Sequence, residues 1–127
     1  MKEITHKWIK EAEEDYNFAA MSLQFEKFYS RLCFLFQQAA EKYLKAYILE
    51  NDLQFEKVHD LIKLLNTCKK KDENFNKLEE ACKNLNQYYT ETRYPDDILE
   101  TYYEKIDAEK SKESCEEIRN FIKKEIT

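Results

Sequence analysis

The sequence contains no glycine and a single proline in 127 residues. Glycine, without a Cβ, takes the positive-φ dihedrals of tight hairpins at no steric cost and lets a backbone close around a phosphate. Phosphate-cradling loops, dinucleotide fingerprints and a hairpin-rich sheet are therefore excluded. Long uncharged runs are missing too. The longest stretch without a charged side chain, Tyr16 to Phe25, spans ten residues, about half of the ~20 that cross a bilayer. No membrane contact is expected. Residues Met1-Lys2-Glu3-Ile4-Thr5-His6-Lys7 hold no apolar run that would make a secretory signal, so the expected location is the cytoplasm.

An excess of positive charge is also lacking. Twenty-one Lys and Arg against 26 Asp and Glu give a net charge of −5, and both signs are mixed along the chain. A general electrostatic nucleic-acid binder carries a basic excess, so nucleic acid stays open only through a local patch. With two histidines no Ser/His/Asp or Cys/His triad can be assembled, and no catalytic residue and no cofactor is assigned. Cys33, Cys68, Cys82 and Cys115 are scattered without a close pair. They read as buried thiols rather than as disulfides or zinc ligands.

What is present is enough to fold: 43% of residues are apolar and 14% aromatic, which offsets the entropy cost of ordering the chain. The length suits one domain over residues 1–127. Apolar residues recur at three and four, the helical period. A first helix is expected from about Thr5 to Leu23, with Trp8, Ala12, Tyr16, Ala19 and Leu23 inward, Trp8 buried at the bundle end and Asp15 beside the stripe. A second runs from about Ser30 to Glu50, with Asn51 as its left-handed cap. A third starts near His59, carries Leu61, Ile62, Leu64 and Leu65, and ends in the charged run Lys69-Lys70-Lys71-Asp72-Glu73. A fourth opens on the capping pattern Asn76-Lys77-Leu78-Glu79 and carries Leu78, Cys82, Leu85 and Tyr89 inward. It stops before Pro95. Thr101-Tyr102-Tyr103-Glu104 reads as the capping box of a fifth helix, with Ala108, Ser111, Cys115, Ile118 and Ile122 inward. The expected fold is an all-α, up-and-down antiparallel bundle of four to five helices.

The second helix has polar residues opposite its core face, Arg31, Gln38, Lys42 and Lys45, yet Phe34, Leu35 and Leu49 lie among them. Such a face is too apolar for solvent and too charged for a core, so a dimer interface or a cleft is expected there. Gln37, Gln38, Glu41, Lys42 and Lys45 equally suit an intrahelical network, with Glu41 to Lys45 in the favourable i,i+4 order. Asp60 suits a helix N-terminus and His59 a structural contact. Glu56-Lys57-Val58-His59 matches a di-iron spacing, but its second copy, Glu3-Ile4-Thr5-His6, lies at the terminus, and no metal is expected. Arg93-Tyr94-Pro95-Asp96-Asp97 is a rigid polar segment in which Arg93 could present a guanidinium fork.

The order Trp8, Ala12, Asp15, then Gln37-Gln38-Ala39-Ala40-Glu41-Lys42-Tyr43-Leu44-Lys45-Ala46, then His59-Asp60-Leu61, then Arg93-Tyr94-Pro95-Asp96 resembles the HEPN domain family over nearly the whole chain. The resemblance implies a helical bundle, usually a homodimer with a cleft near its axis. It also implies a nucleotide ligand or a nucleotidyltransferase partner in a toxin-antitoxin-like pair. Matched residue by residue, the ligand-binding candidates are Asp15, Gln38, Lys42, Lys45, His59 and Arg93. Lys42, Lys45 and Arg93 are the expected phosphate contacts, and alanine at 45 or 93 is expected to weaken binding with little change in melting temperature. Ribonuclease members carry an Arg followed after four to six residues by His. Arg31, Arg93 and Arg119 lack that His, so the expected role is a non-catalytic binding module. A ribonuclease with another residue set and a purely structural interaction module are the alternatives.

Overall fold

The computed structural model describes residues 1–89 and 103–127. Five helices lie among them: α1 (Glu3–Ser22), α2 (Tyr29–Glu50), α3 (Leu61–Lys71), α4 (Glu79–Asn86) and α5 (Lys105–Ile126), with 3-10 turns at Leu23–Phe25 and Glu73–Leu78. No strand occurs among the described residues. Arg93, Tyr94, Pro95, Asp96, Asp97, Thr101 and Tyr102 lie outside them.

α2 is the axis around which the rest is built. From Phe36 to Ile48 every residue except Gln38 and Lys42 is buried, because α1, α3, α4 and α5 all pack on it. Phe36, Tyr43, Leu44 and Ile48 are fully buried, each worth about 1.5–3 kcal/mol of transfer free energy. Truncating Phe36 to alanine would cost about 3–5 kcal/mol. On the face opposite the core Lys45 is buried, Phe34, Leu35, Gln38, Lys42 and Leu49 are partly buried, and Arg31 is exposed.

α1 runs antiparallel to both α2 and α5, and polar side chains mark the seams. Glu13 of α1 takes a forked bond from Arg119 of α5, 2.7 Å from Nε and 3.1 Å from Nη2. The Tyr43 hydroxyl of α2 donates to the same carboxylate, and Lys123 lies 3.4 Å away. Burial would raise the Glu13 pKa, but the bonds from Arg119 and Tyr43 and the charges of Arg119 and Lys123 outweigh it and hold the carboxyl down at about 2. Tyr16 donates to Glu116 at 2.6 Å, and its burial together with that bond pushes it up to about 12.

The joint between α2 and α3 is a ten-residue strap rather than a short turn. It returns along α2 until the His59 carbonyl meets Gln37, so α3 sets out in the same direction as α2 and reaches the level of Tyr47, whose ring meets Phe75 at 4.6 Å. α4 then runs antiparallel to α3, and α5 antiparallel to α4, with Asn84 bonded to Ser114 at 2.9 Å.

Several expected caps differ. Asn51 is not left-handed, with φ −101°; its amide donates to the Tyr47 carbonyl at 3.0 Å, and Asp52 takes the positive φ, 54°. α4 is not opened by a side-chain cap, because residues 73–78 form their own 3-10 turn and Leu78 occupies the N-cap. α5 is capped by Glu104 and Asp107 rather than by Thr101 and Glu104. Trp8 is half-buried, not buried, because the strap covers one side of it. Glu26 and Phe28 also have positive φ, 54° and 61°, in a chain with no glycine to relieve them. Each costs roughly 1–2 kcal/mol. All four cysteines are free and buried, and burial raises every thiol, Cys33 to about 11 and Cys82 to about 12.

Candidate functional site

Gln37, Glu41 and Lys45 stand one turn apart on α2 and are 0%, 4% and 5% exposed. Buried charges need partners, because leaving one unpaired costs several kcal/mol. Glu41 supplies the link. Its Oε2 accepts from Lys45 Nζ at 2.8 Å, and its Oε1 lies 3.0 Å from His59 Nδ1. The Lys45 ammonium also faces two rings, Trp8 at 5.6 Å and Phe55 at 5.8 Å, which meet edge to face. A desolvated cation between aromatic faces gains about 2 kcal/mol. Lys45 is thus held by a carboxylate and two rings.

His59 ends the strap with its side chain 42% exposed. The backbone around it is fixed from three directions. Gln37 Nε2 donates to the His59 carbonyl at 3.2 Å, and Gln38 Nε2 to Gln37 Oε1 at 2.7 Å. Asp60 is the N-cap of α3 itself, accepting from Ile62 N at 2.9 Å and Lys63 N at 3.4 Å. Asn86, at the end of α4, donates to Asp60 Oδ1 at 3.0 Å and accepts from Leu61 N at 2.8 Å. The imidazole stacks on Tyr89, with centroids 4.4 Å apart and planes at 16°.

These groups line an open cleft of about 450 Å³, walled by Val58, His59, Asp60, Asn86, Gln87 and Tyr89. That is the size of a small-molecule site. Glu41 fixes the ring through Nδ1, as a carboxylate does behind a working imidazole. The arrangement can hold or move a proton, accept a hydrogen bond and offer aromatic surface to a planar group.

Asp15 and Lys42 belong to another cluster. Lys42 Nζ lies 2.7 Å from Asp15 and 3.5 Å from Glu11, an ion pair across the α1–α2 seam beside a hollow of about 210 Å³ lined by Lys7, Trp8, Glu11 and Lys42. The structure therefore brings Gln38, Lys45 and His59 together through Gln37 and Glu41, and sets Asp15 and Lys42 apart. Arg93 lies outside the described residues. Glu56 is exposed on the strap rather than on a helix, and among the described residues no group of three His, Cys, Asp or Glu is placed to hold a metal.

Glu41, Asn86 and Tyr89 are site residues that the sequence does not single out. The available signal for Glu41 is the spacing of polar residues four apart, 37, 41 and 45, a row that lies beside Gln38 and Lys42. Tyr89 was assigned to the inner face of α4, but the helix ends at Asn86, the phase breaks, and Tyr88 is the buried ring. Nothing local announces Asn86.

The HEPN domain family model matches residues 5–126. Two solved structures superpose over almost the full length. One is the protein TT1696 of Thermus thermophilus, 30% identical, with a TM-score of 0.76 over 94% of this chain and 96% of that one. The other is ST0689, an archaeal HEPN homologue, 27% identical, with a TM-score of 0.77 over the whole of both chains. No curated protein matches. Family model, sequence identity and superposition agree: the chain belongs to the HEPN domain family.

Proposed function

We propose that this HEPN domain is a non-catalytic binding module, active as a homodimer, that takes a nucleotide in the cleft at His59 and works with a nucleotidyltransferase partner in a toxin-antitoxin-like pair. The observation that carries the reading is a half-exposed imidazole on the cleft wall, fixed by a carboxylate whose charge a buried lysine balances. Lys45 balances the Glu41 charge behind the imidazole, and the carboxylate on the described cleft wall, Asp60, is taken up by the Ile62 main chain and by Asn86. The stacked His59 and Tyr89 put aromatic surface in the cleft wall, the chemistry on which a base stacks.

The structure moves the weight of this reading from Lys42 and Lys45, both engaged by carboxylates, to His59 and Tyr89. The test is calorimetric titration of adenosine and guanosine triphosphates into the purified chain. His59→Ala and Tyr89→Ala are expected to weaken binding about tenfold or more, a loss of about 1.4 kcal/mol, with the fold intact by circular dichroism. Unchanged affinity in both variants would overturn it. Sedimentation at micromolar concentration tests the dimer, and co-elution with a nucleotidyltransferase encoded beside the chain tests the pair.

The Glu41–His59 contact also favours a second reading, RNA cleavage with His59 as proton carrier. Incubation with RNA separates the two: cleavage by the wild type that His59→Ala abolishes would replace the first reading.

A further inference from the structure

Four large apolar side chains stand in solvent where α1 turns into α2: Phe18 is 62% exposed, Met21 66%, Phe25 64% and Phe28 70%. Single exposed apolar residues are ordinary, but a cluster of this kind marks a contact surface. Phe18, Phe25, Phe28 and Leu32 line a hollow of about 250 Å³ whose charged members are Lys27 and Arg31.

Two features make the corner more than a loose turn. Glu26 and Phe28 both hold left-handed φ, a conformation that glycine or asparagine adopts more cheaply than a bulky side chain. The chain keeps a phenylalanine there and presents it outward. The charged side chains that line the hollow are also of one sign, Lys27 and Arg31, with exposed Glu14 one turn before Phe18 at its edge. Lys27 Nζ lies 5.3 Å from the Phe28 ring, and Glu26, the acid of the connector, is taken up by Lys105 of α5 at 3.1 Å. An acidic protein thus carries an aromatic patch with a basic rim.

We propose that this corner docks an amphipathic helix of a partner protein, its apolar stripe flanked by Asp and Glu. The area fits. Four side chains of this size and exposure offer on the order of 500 Å², less than the ~800 Å² each partner gives to a standard interface, but suited to the few anchors that a helix lays into a groove at i, i+3/i+4 and i+7. A second copy of this chain fits worse, because a two-fold contact centred here would bring Lys27 and Arg31 against their own copies. Single-stranded RNA fits worse too, since a stacking platform needs a basic track for the backbone. The corner shares no lining residue with the cleft at His59, so it stands or falls apart from the nucleotide reading.

The test uses the full chain and three labelled probes: a synthetic helix with a leucine stripe flanked by glutamates, its counterpart flanked by lysines, and a uridine oligonucleotide. Fluorescence anisotropy should show the glutamate-flanked helix binding about tenfold tighter than the lysine-flanked one, as complementary charge directs. Lys27→Glu with Arg31→Glu should reverse that preference. Phe28→Asn, which suits the left-handed backbone, should abolish binding while leaving the fold at least as stable. Four results overturn the proposal: no binding of the glutamate-flanked helix, equal binding of both helices, binding of the oligonucleotide alone, or self-association that Phe28→Asn removes.

Discussion

Glu13→Gln removes the charge at the centre of the seam that joins α1, α2 and α5. The substitution keeps the shape and the oxygen that accepts from Arg119 Nε and Tyr43, but it loses the charge and the second acceptor, which serves Arg119 Nη2 and Lys123. The carboxyl titrates at about 2 in the folded chain against an ordinary value of 4.5. A full conversion of that difference at about 1.4 kcal/mol per pKa unit would give roughly 3 kcal/mol. The side chain is partly solvated, and screening reduces this to about 1–2 kcal/mol. At about 2.1 cal/mol/K per residue of unfolding entropy, the melting temperature at pH 7 should fall by about 4–7 °C. The sign with pH follows from linkage. A folded pKa held below the unfolded one gives stability that is complete above the unfolded value and is lost as pH falls toward the folded value. Thermal unfolding followed by circular dichroism should therefore show the gap between wild type and Glu13→Gln at full size from pH 7 to about 5.5, shrinking below pH 4.5 and closing near pH 2. A gap that is absent at pH 7, or one that keeps its size at pH 2, would refute the assignment of Glu13 as the carboxylate the network stabilises.

Three further outcomes are expected. Lys45→Ala should lower stability by about 3 kcal/mol or more, because it leaves the buried Glu41 carboxylate without its cation; urea titration measures this, and it replaces the sequence-based expectation of little change in melting temperature. Asp60→Ala removes both the α3 cap and the contact with Asn86, at a cost of about 1–2 kcal/mol, and hydrogen exchange at Ile62 and Lys63 should accelerate before global unfolding does. The four buried thiols, held above their ordinary pKa by desolvation, should resist an aromatic disulfide reagent at pH 8 in the native chain and react together in denaturant; fast native reaction of any one would contradict its burial.

The helices were legible because their signal is periodic and local. The helical period puts Tyr29, Leu32, Cys33, Phe36, Ala40, Tyr43, Leu44 and Tyr47 on one inner face of α2, and all are buried except Tyr29, which is half-buried at the first turn. The same holds for Ala108, Ser111, Cys115, Ile118 and Ile122 of α5. The helix ends were less legible, since several cap chemistries compete within a few residues: Asn51 looked like the left-handed residue, and Asp52 took that role. The site was legible in parts. His59, Gln38 and Lys45 were named from the resemblance, but the carboxylate that joins His59 to Lys45 was not, because its contact with His59 spans eighteen residues. That contact depends on a strap whose course along α2 leaves no periodic trace in the sequence.

The strap is also held at its far end, by the first turns of α1. Lys2 Nζ pairs with Asp52 and donates to the Leu49 carbonyl, its main-chain nitrogen donates to Glu50 at 2.9 Å, and Thr5 Oγ1 donates to Glu50 at 2.8 Å. Trp8 then presses on Phe55 halfway along. Residues 2–8 therefore act as a distant tensioner for the imidazole. A variant that loses Lys2 or Thr5 frays the first turn of α1 and would loosen the strap that carries His59 without touching the cleft.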